Sequence, residues 1–412
     1  MRNTIALLLA LCLLFAMSSC TKTESATVET STAKALEVDS TPAFHLAIVT
    51  GTGSQSENDR RGAIAFQNKY GNDTVKLATY PDDFTEEYEK TIQTIVAFAD
   101  DPLMKAIIVN QAVPGTAEAF AEVKEKRSDI LCLAGEPHEE LPVIASTADL
   151  VVNNDYVSRG YLIIKTAHEL GCDTFVHISF PRHLKFDTIS RRLTIMKKAC
   201  EEFGMTFAEE IVLDPTTDGL EESKEYILEK VPQWVEQYGT NAAFFCTNDS
   251  QTGPLIKQLL AYGGYFIEAD LPSPLMGYPA ALGLELSEIQ GDFVEILKKV
   301  ETAVVEAGGA GRFGTWVYSY GYSVSTGLAQ HAYNVLTGQS ELLNLEDLAS
   351  AFSIYSGDAK WKGTNYTNAF TGEVSNNMFL IYQDTYILGK EGDKFMHTTE
   401  AKVPDWTYTI IE

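Results

Sequence analysis

The chain has 412 residues, of which 45% are apolar and 21% are charged, and its 57 Asp and Glu residues against 31 Lys and Arg residues give a net charge of −26. This composition is typical of a soluble globular protein and excludes disordered, collagen-like and disulfide-rich miniprotein classes. The acidic surface repels phosphate backbones, so no nucleic acid partner is expected. The length predicts two domains, each large enough to bury a hydrophobic core.

The first twenty residues predict export from the cytoplasm. Arg2 supplies a positive charge, and Thr4–Ala16 is almost wholly apolar but too short to span a bilayer. The small residues Ser18 and Ser19 then lead into Cys20, which resembles the lipobox of bacterial lipoproteins, although Met17 stands where Leu is commonest. Residues 1–19 are therefore predicted to be a signal peptide and Cys20 the lipid-modified, palmitate-bearing first residue of the mature chain. An ordinary secretory peptide, with Cys20 incidental, is the alternative.

The segment that follows Cys20 predicts a flexible tether over residues 20–42. Nine of the twenty-two residues from 21 to 42 are Ser or Thr, and the segment has no aromatic residue and no glycine. Such a segment buries too little surface to offset its ordering entropy. No later apolar run approaches the ~20 residues that a membrane span needs. We therefore expect a protein of the bacterial cell envelope that is held at the membrane by its lipid alone.

From Phe44 onward, short apolar runs alternate with amphipathic stretches of helical period. Strands are predicted at 44–49, 75–79, 105–110, 130–134, 174–178, 211–213, 242–246 and 275–277. Helices are predicted at about 57–69, 84–99, 115–126, 156–170, 187–203, 220–238, 250–262, 288–306 and 321–337. The strands are near-continuous apolar runs, which favours parallel strands covered on both faces.

The alternation occurs twice and predicts an α/β protein with two doubly wound parallel-sheet lobes, several crossings between them and a cleft where they meet. Lobe 1 is predicted to comprise residues 43–153 and about 288–337, and lobe 2 residues 154–287 and about 338–412. Residues 150–154 are interpreted as a crossing, and 378–382 and 406–411 as strands. The period-two aromatic residues of 316–322 also suit a strand. A serial pair of domains with one linker is the alternative.

Several kinds of chemistry lack a sequence pattern. The thiols of the body, Cys132, Cys172, Cys200 and Cys246, could pair in an oxidising compartment, but two of them lie in apolar strand-like runs that favour burial as free thiols. No spacing suits a metal site. The turn after the first strand, G-x-G-x-x-S, lacks the third glycine of a dinucleotide site, so no cofactor is expected. No nucleophile motif or matching Ser, His and Asp set predicts an enzyme or catalytic residues.

Polar and aromatic residues at predicted strand ends are the candidate ligand contacts. Ligands of open α/β sheets bind at the carboxyl ends of strands, where charged groups make the stronger hydrogen bonds and rings can stack. The candidates near strand ends are Ser54, Asn110, Gln111, Asp155, Phe180, Asn248, Asp249 and Tyr278, and two further candidates, Arg191 and Arg192, lie early in a predicted helix. Helix capping by Asp249 and surface ion pairs of the two arginines are the structural alternatives.

One succession of motifs carries a family resemblance. Asp155 precedes a helix that ends in Leu170-Gly171, Arg191-Arg192 follows in the next helix, and Asn248-Asp249 begins a later one. This order resembles the second lobe of type I periplasmic binding proteins and lactose-repressor-like sensor domains over about residues 44–340. In that family an Arg and an Asn-Asp pair commonly bond the hydroxyls of a sugar or nucleoside, which implies this role for Arg191 or Arg192 and for Asn248 with Asp249. The residues after 340 have no counterpart.

These expectations combine into one functional prediction. The chain is similar in kind to a poorly characterised group of bacterial lipoproteins of this fold and to the nucleoside-binding basic membrane lipoproteins. It is predicted to be a monomeric, lipid-anchored, extracytoplasmic protein that captures a small polar solute, such as a sugar or nucleoside, for an ABC permease. A ligand sensor without transport and an extracytoplasmic hydrolase on the same fold are the alternatives.

Overall fold

The computed structural model describes residues 44–54, 56–185 and 187–409. The strands are β1 (His45–Thr50), β2 (Val75–Thr79), β3 (Met104–Asn110), β4 (Leu131–Gly135), β5 (Leu150–Asn154), β6 (Thr174–Ser179), β7 (Thr206–Ile211), β8 (Ala242–Cys246), β9 (Gly314–Thr315), β10 (Trp361–Thr367), β11 (Val374–Gln383) and β12 (Tyr386–Ile387). The α-helices are α1 (Glu57–Tyr70), α2 (Tyr88–Val96), α3 (Thr116–Lys126), α4 (Leu141–Ala145), α5 (Tyr156–Glu169), α6 (Asp187–Phe203), α7 (Leu220–Tyr238), α8 (Asp249–Tyr262), α9 (Tyr278–Leu282), α10 (Phe293–Glu306), α11 (Tyr320–Leu336), α12 (Leu345–Ser353) and α13 (Trp406–Thr409).

A seven-stranded sheet forms the larger part of the structure, with the strand order β10-β11-β5-β4-β3-β1-β2. Every neighbouring pair is parallel except β10 and β11. Alternate residues of a strand point to opposite faces, so Ile48 joins one hydrophobic cluster and Val49 the other. Phe66 of α1 and Phe120 of α3 belong to these two clusters, which explains why the central strands are apolar throughout.

A second, three-stranded sheet has the order β7-β6-β8, again with parallel pairs. Single bridges continue it from Ala243 to Tyr265 and from Phe266 to Phe313, and the short β9–β12 ladder lies beyond. Val231 of α7, Leu255 of α8 and Val300 of α10 pack into the hydrophobic cluster that covers this sheet. The predicted alternation of strands and helices therefore produces two separate sheets.

Some predicted elements differ from those in the structure. Residues 150–154 form β5 inside the larger sheet rather than only a crossing. Strand β7 ends at Ile211, where the predicted strand 211–213 begins. Residues 275–277 form no strand, because Gly277 adopts φ 78° and begins the turn into α9. Tyr320 and Tyr322 begin helix α11, and Trp406 begins helix α13, so neither segment is a strand.

The C-terminal section also lies differently from its predicted place in lobe 2. Strand β11 pairs in parallel with β5, with Met378 opposite Val151 and Phe379 opposite Val152, so the β10–β11 hairpin extends the larger sheet. This arrangement covers an edge of β5 that would otherwise leave backbone groups unpaired. Conversely, α10, predicted in lobe 1, buries Ile296 and Val300 in the cluster of the smaller sheet.

Cys132, Cys172, Cys200 and Cys246 are all buried free thiols, in agreement with their expected role as small hydrophobic residues. Burial raises the pKa of each thiol to about 12. Among the helices of the described residues, none is both long enough and apolar enough to cross a membrane.

Candidate ligand-binding cleft

A cavity of about 230 Å³ lies where the carboxyl ends of β3 and β4 meet residues from the side of the smaller sheet. It is lined by Ser56, Glu57, Asn58, Asp59, Gln111, Glu136, Leu271, Pro272, Ser273, Met276, Ser319, Tyr320 and Gly321. This volume far exceeds the ~10–15 Å³ that a single water requires. The position follows the general rule that parallel sheets bind ligands beyond the carboxyl ends of their strands. We call it the cleft cavity.

Two lining residues have strained backbones. Gln111 directly follows β3 with φ 59°, and Glu136 directly follows β4 with φ 47°. Of the described non-glycine residues, only His397 shares this left-handed region. Such conformations cost about 1–3 kcal/mol each and concentrate where a site requires a particular side-chain position. The strain therefore marks this edge of the larger sheet as a candidate site.

Asp59 is a buried carboxylate in the first turn of α1, with 4% of its surface exposed. Burial raises the pKa of Asp59 to about 7, although hydrogen bonds from its own backbone, Asn110 and Gln111 act in the opposite direction. Asn110 Nδ2 lies 3.4 Å from Asp59 Oδ1. A Cβ on Gly321 would lie 2.6 Å from Asp59 Oδ2, so a glycine is needed where α11 passes this carboxylate.

Glu136 connects the acidic groups of the two sides. Its pKa is raised well above the usual value, first by burial and then by the negative charges of Asp59, Asp249 and Asp270. Asp59 belongs to the larger-sheet side, whereas Asp249 begins α8 after the smaller sheet. The carboxylates of the two sides are therefore close enough to affect one another.

Asp249 and Asp270 differ in their partners. The carboxylate of Asp270 forms an ion pair with Arg192 at 2.5 Å, and the Arg192 guanidinium also lies 5.1 Å from the ring centre of Tyr156. Burial and the neighbouring Asp270 raise the pKa of Asp249 to about 7, against the lowering effects of Arg192 and the backbone N–H of Leu271. Within the described residues, Asp249 Oδ1 has no hydrogen-bond partner. The same is true of Asp270 Oδ1 and the three side-chain nitrogens of Arg192, so their ion pair is a charge contact without hydrogen-bond geometry.

A second buried ion pair joins residues next to the cleft. Arg159 Nε donates to Glu268 Oε2 at 2.9 Å, and its Nη2 donates to the backbone oxygen of Ala269 at 2.8 Å. Trp316 Nε1 donates to Glu268 Oε1 at 3.1 Å. These contacts satisfy the charges and hold α5 against the 268–270 segment.

Tyr320 contributes a polar group to the cleft cavity from the start of α11. Its side chain is 3% exposed, and its hydroxyl has no hydrogen-bond partner within the described residues. Burial raises the pKa of Tyr320, as do the nearby charges of Glu136 and Asp59. A buried hydroxyl that lacks a partner is costly, and a ligand in the cavity would supply one.

Of the predicted residues, one lines the cleft cavity and three lie behind or beside it. Gln111 lines the cavity and accepts a bond from the Tyr80 hydroxyl at 3.2 Å. Asn110 is fully buried behind it and bonds Asp59 and Ser325. Arg192 and Asp249 belong to the charged group already described.

Three further predicted residues have structural partners. The Asn248 side chain caps α8 by accepting from the N–H of Ser250 at 3.1 Å. The Asp155 side chain caps α5 by accepting from the N–H of Ser158 at 2.7 Å. Arg191 donates from Nη1 to the backbone oxygen of Thr367 at 2.8 Å and from Nη2 to that of Tyr408 at 2.9 Å, so it fastens the C-terminal section to α6.

The remaining predicted residues do not line the cleft cavity. Ser54 is exposed and bonds Asp82 Oδ2 at 2.8 Å. Phe180 is fully buried in the cluster over the smaller sheet. Tyr278 is buried there too, and its hydroxyl donates to the backbone oxygen of Gly314 at 2.7 Å. Cys20 lies outside the described residues.

Sequence reasoning missed Asp59, Glu136, Asp270 and Tyr320. Glu136 follows β4 as Gln111 follows β3, so the strand-end rule could have found it. Asp59 lies in a first helical turn, where an acid is ordinarily explained by the helix dipole. Tyr320 belongs to the period-two aromatic run of 316–322, which suits a strand rather than a binding site. The position of Asp270 follows no recognisable local pattern.

A larger, more open cavity of about 660 Å³ adjoins the cleft through Glu136. Tyr156 and His138 line it, together with Tyr366 and Phe370 from the β10–β11 hairpin. Phe370 is 66% exposed at the tip of this hairpin. Nowhere in the described residues, the cleft included, does a group of three or more His, Cys, Asp or Glu side chains form a site that could hold a metal ion.

Comparison with known sequences identifies a family without an assigned activity. A family model described as a protein of unknown function, DUF3798, matches residues 44–314, and a second family model matches residues 325–410. A protein of Treponema pallidum strain Nichols is 40% identical over 213 residues, which cover 51% of this chain and 96% of that protein. A second Treponema pallidum protein is 40% identical over 178 residues, covering 42% and 80%. Both are described as uncharacterized.

Comparison with solved structures confirms the predicted fold class. A protein from Clostridium difficile 630, described as a candidate transcriptional regulator, superposes with a TM-score of 0.75 at 21% identity, covering 84% of this chain and 99% of that one. A sugar ABC transporter protein from Actinomyces odontolyticus gives a TM-score of 0.50 at 7% identity, covering 73% and 86%. The chain has the mixed α/β, parallel-sheet fold of the type I periplasmic binding proteins.

Proposed function

The chain belongs to the DUF3798 family, which is described as being of unknown function, and we propose from its cleft that it binds a small polar solute. The observation that carries this proposal is the set of polar groups that line the cavity. Asp59, Glu136 and the unsatisfied hydroxyl of Tyr320 line it from the larger-sheet side and α11, and Ser273 lines it from the smaller-sheet side. A solute that contacts groups of both sides would favour the arrangement in which they are close together.

The cellular part of the proposal rests on the N-terminal residues, which lie outside the described residues. We propose that Cys20 carries the lipid, that residues 21–42 tether the body to a bacterial membrane, and that the monomer delivers its solute to an ABC permease. The Actinomyces odontolyticus protein, described as a sugar ABC transporter, supports the transport role by its similar fold. No bond of the solute is broken in this role.

Solute binding is tested by thermal shift and isothermal titration with a panel of sugars, nucleosides and small amines. A true ligand at one hundred times its Kd stabilises the protein by about 2.7 kcal/mol. Glu136→Gln should remove most of this shift, whereas Asp73→Asn, at an exposed position away from the cleft, should retain it. If no member of a broad panel shifts the melting temperature, or if both variants respond alike, the proposed function is refuted.

The lipid anchor needs its own experiment, because a soluble body cannot report on it. Cells that express the full chain are labelled with a palmitate analogue, and the label on the purified protein is compared between wild type and Cys20→Ser. Ser19→Ala is the matched control. We expect label on the wild type and the control but none on Cys20→Ser, and equal label on all three would refute the anchor.

Two alternative functions are each favoured by one observation. The Clostridium difficile protein, which is described as a candidate regulator, favours a ligand sensor without transport. The raised pKa values of Asp59 and Asp249, both about 7, favour a hydrolase, since a carboxyl with a raised pKa can act as a general acid. Permease and ATPase genes beside this one would favour transport, and recovery of unchanged ligand after prolonged incubation would argue against hydrolysis.

A further inference from the structure

We propose that the solute bound in the cleft cavity carries a protonated amine, which is held by Asp59, Glu136 and the Tyr320 hydroxyl. This inference rests on the proposed function and narrows it from polar solutes in general to organic cations.

The charges at the cleft divide into paired and unpaired groups. Arg192 pairs with Asp270 at 2.5 Å, Arg159 pairs with Glu268 at 2.9 Å, and Glu57, which lines the cavity, pairs with Arg61. The two other carboxyls that line the cavity, those of Asp59 and Glu136, form no ion pair within the described residues. Burial raises the pKa of both, and a bound cation would offset this cost by pairing with their ionised forms.

The hydrogen-bonding groups independently indicate a ligand with donors. The Tyr320 hydroxyl is buried, lines the cavity and has no partner among the described residues. An ammonium group offers three donors and no acceptor, which matches the oxygen atoms of carboxylates and a phenol. A neutral polyol could also donate to these oxygens, but it would not stabilise the ionised forms of Asp59 and Glu136, whose pKa values burial raises.

The rest of the cavity favours an organic cation over a bare ion. Leu271, Pro272 and Met276 form part of the wall, and apolar side chains of this kind pack against a carbon frame. Ser273 and Gln111 add further polar contacts on the two sides. The predicted ligand is therefore a small molecule that has one apolar or hydroxylated part and at least one ammonium group.

The test uses pairs of probes that differ only in an amine replaced by a hydroxyl or hydrogen-bonding equivalent. Glucosamine is compared with glucose, putrescine with 1,4-butanediol, and 5′-amino-5′-deoxyadenosine with adenosine, each by isothermal titration at pH 7 with the full mature chain. In at least one pair we expect the amine to bind at least tenfold more tightly. Calcium chloride and magnesium chloride alone are further probes.

The outcomes separate this inference from the proposed function. Equal or tighter binding of the alcohols would refute the preference for an amine but would leave the proposed solute binding intact. Binding of calcium or magnesium alone with an affinity above that of every amine would also overturn it. Binding of no probe would refute the inference together with the proposed function.

Variants test the residues named in the inference. Glu136→Gln should lower the affinity for the amine at least tenfold while changing that of the matched alcohol less than threefold, and Asp73→Asn should change neither. Tyr320→Phe is a second variant that removes only one hydroxyl and should weaken binding of the amine severalfold. Melting curves verify that the variants fold. An equal loss of affinity for amine and alcohol in Glu136→Gln would contradict the role of charge.

Discussion

Two groups of buried charges lie side by side at the cleft, and they differ in how they are satisfied. Arg159 with Glu268 and Arg192 with Asp270 form ion pairs supported by backbone and aromatic contacts. Asp59 is buried near them, and Glu136 and Asp249 are half-buried. All three have raised pKa values and form no ion pair in the described part of the chain. The first group fastens elements together, whereas the second is costly for the protein alone, and a bound cation would offset this cost.

The largest expected effect comes from breaking a paired charge. Arg159→Ala leaves Glu268 buried without its cation, so we expect the free energy of unfolding to fall by about 3–5 kcal/mol. Urea denaturation followed by circular dichroism measures this change. Arg182→Ala is the control, because its ion pair with Asp214 is partly exposed and should contribute only about 0–1 kcal/mol. Equal losses in the two variants would refute the distinction between fastening and surface pairs.

Removing a carboxylate of the unpaired group should raise the free energy of unfolding rather than lower it. Burial raises the pKa of Asp249 from 3.8 to about 7, so the native state holds a proton that the unfolded state releases. Its contribution to stability is therefore present below pH 4 and is lost as the pH rises to 7. Asp249→Asn removes this loss, and we expect it to stabilise the protein by roughly 1–3 kcal/mol at pH 8 and little at pH 4.

Unfolding curves at the two pH values give the comparison, and Asp73→Asn should shift neither. A destabilised Asp249→Asn variant at pH 8 would show that this carboxylate is satisfied in the protein alone.

A smaller effect separates two buried tyrosines. Tyr278 donates to the backbone oxygen of Gly314, so Tyr278→Phe should cost about 1 kcal/mol. The Tyr320 hydroxyl has no partner among the described residues, so Tyr320→Phe should leave stability unchanged or raise it by up to about 1 kcal/mol. Chemical denaturation of both variants measures the difference. A loss in Tyr320→Phe as large as that in Tyr278→Phe would argue against a hydroxyl reserved for a ligand.

The smallest effect concerns a residue that the sequence placed among the ligand contacts. Ser54 is exposed and bonds Asp82 at the surface, so Ser54→Ala should change stability by less than about 0.5 kcal/mol. Its affinity for any ligand of the cleft should equal that of the wild type by isothermal titration. A tenfold loss of affinity would place the binding site outside the cleft cavity.

The sequence predicted the fold better than the site. Long apolar strands such as β3 and β8 and their following helices lie close to the predicted positions, because their residues are buried on both faces and follow clear periods. The sequence predicts a crossing at β5 because this segment lies between the two sets of alternating strands and helices. Its partner β11 comes more than 200 residues later, and such a pairing has no local signal.

The site was predicted where the strand-end rule applies directly. Gln111 follows a strand end and lines the cleft cavity, whereas Asp249 and Arg192 belong to the charged group beside it. Asn248 and Asp155 also follow strand ends, but their side chains cap helices. Sequence cannot distinguish a cap from a ligand contact, because both need the same polar residue at the same place. Asp59 and Asp270 come to the site only through tertiary packing.

The most direct test of the central claim is the number of protons released when an amine binds. The acids in question are Asp59 and Glu136, which line the cavity and interact electrostatically with the nearby groups Asp249, Asp270, Tyr80, Tyr156 and Tyr320. Titration of the tightest-binding amine at pH 6, in buffers of different ionisation enthalpy, counts these protons. We predict a net release of about one proton, since the ammonium favours the ionised carboxylates. No release, or an uptake of protons, would contradict the account.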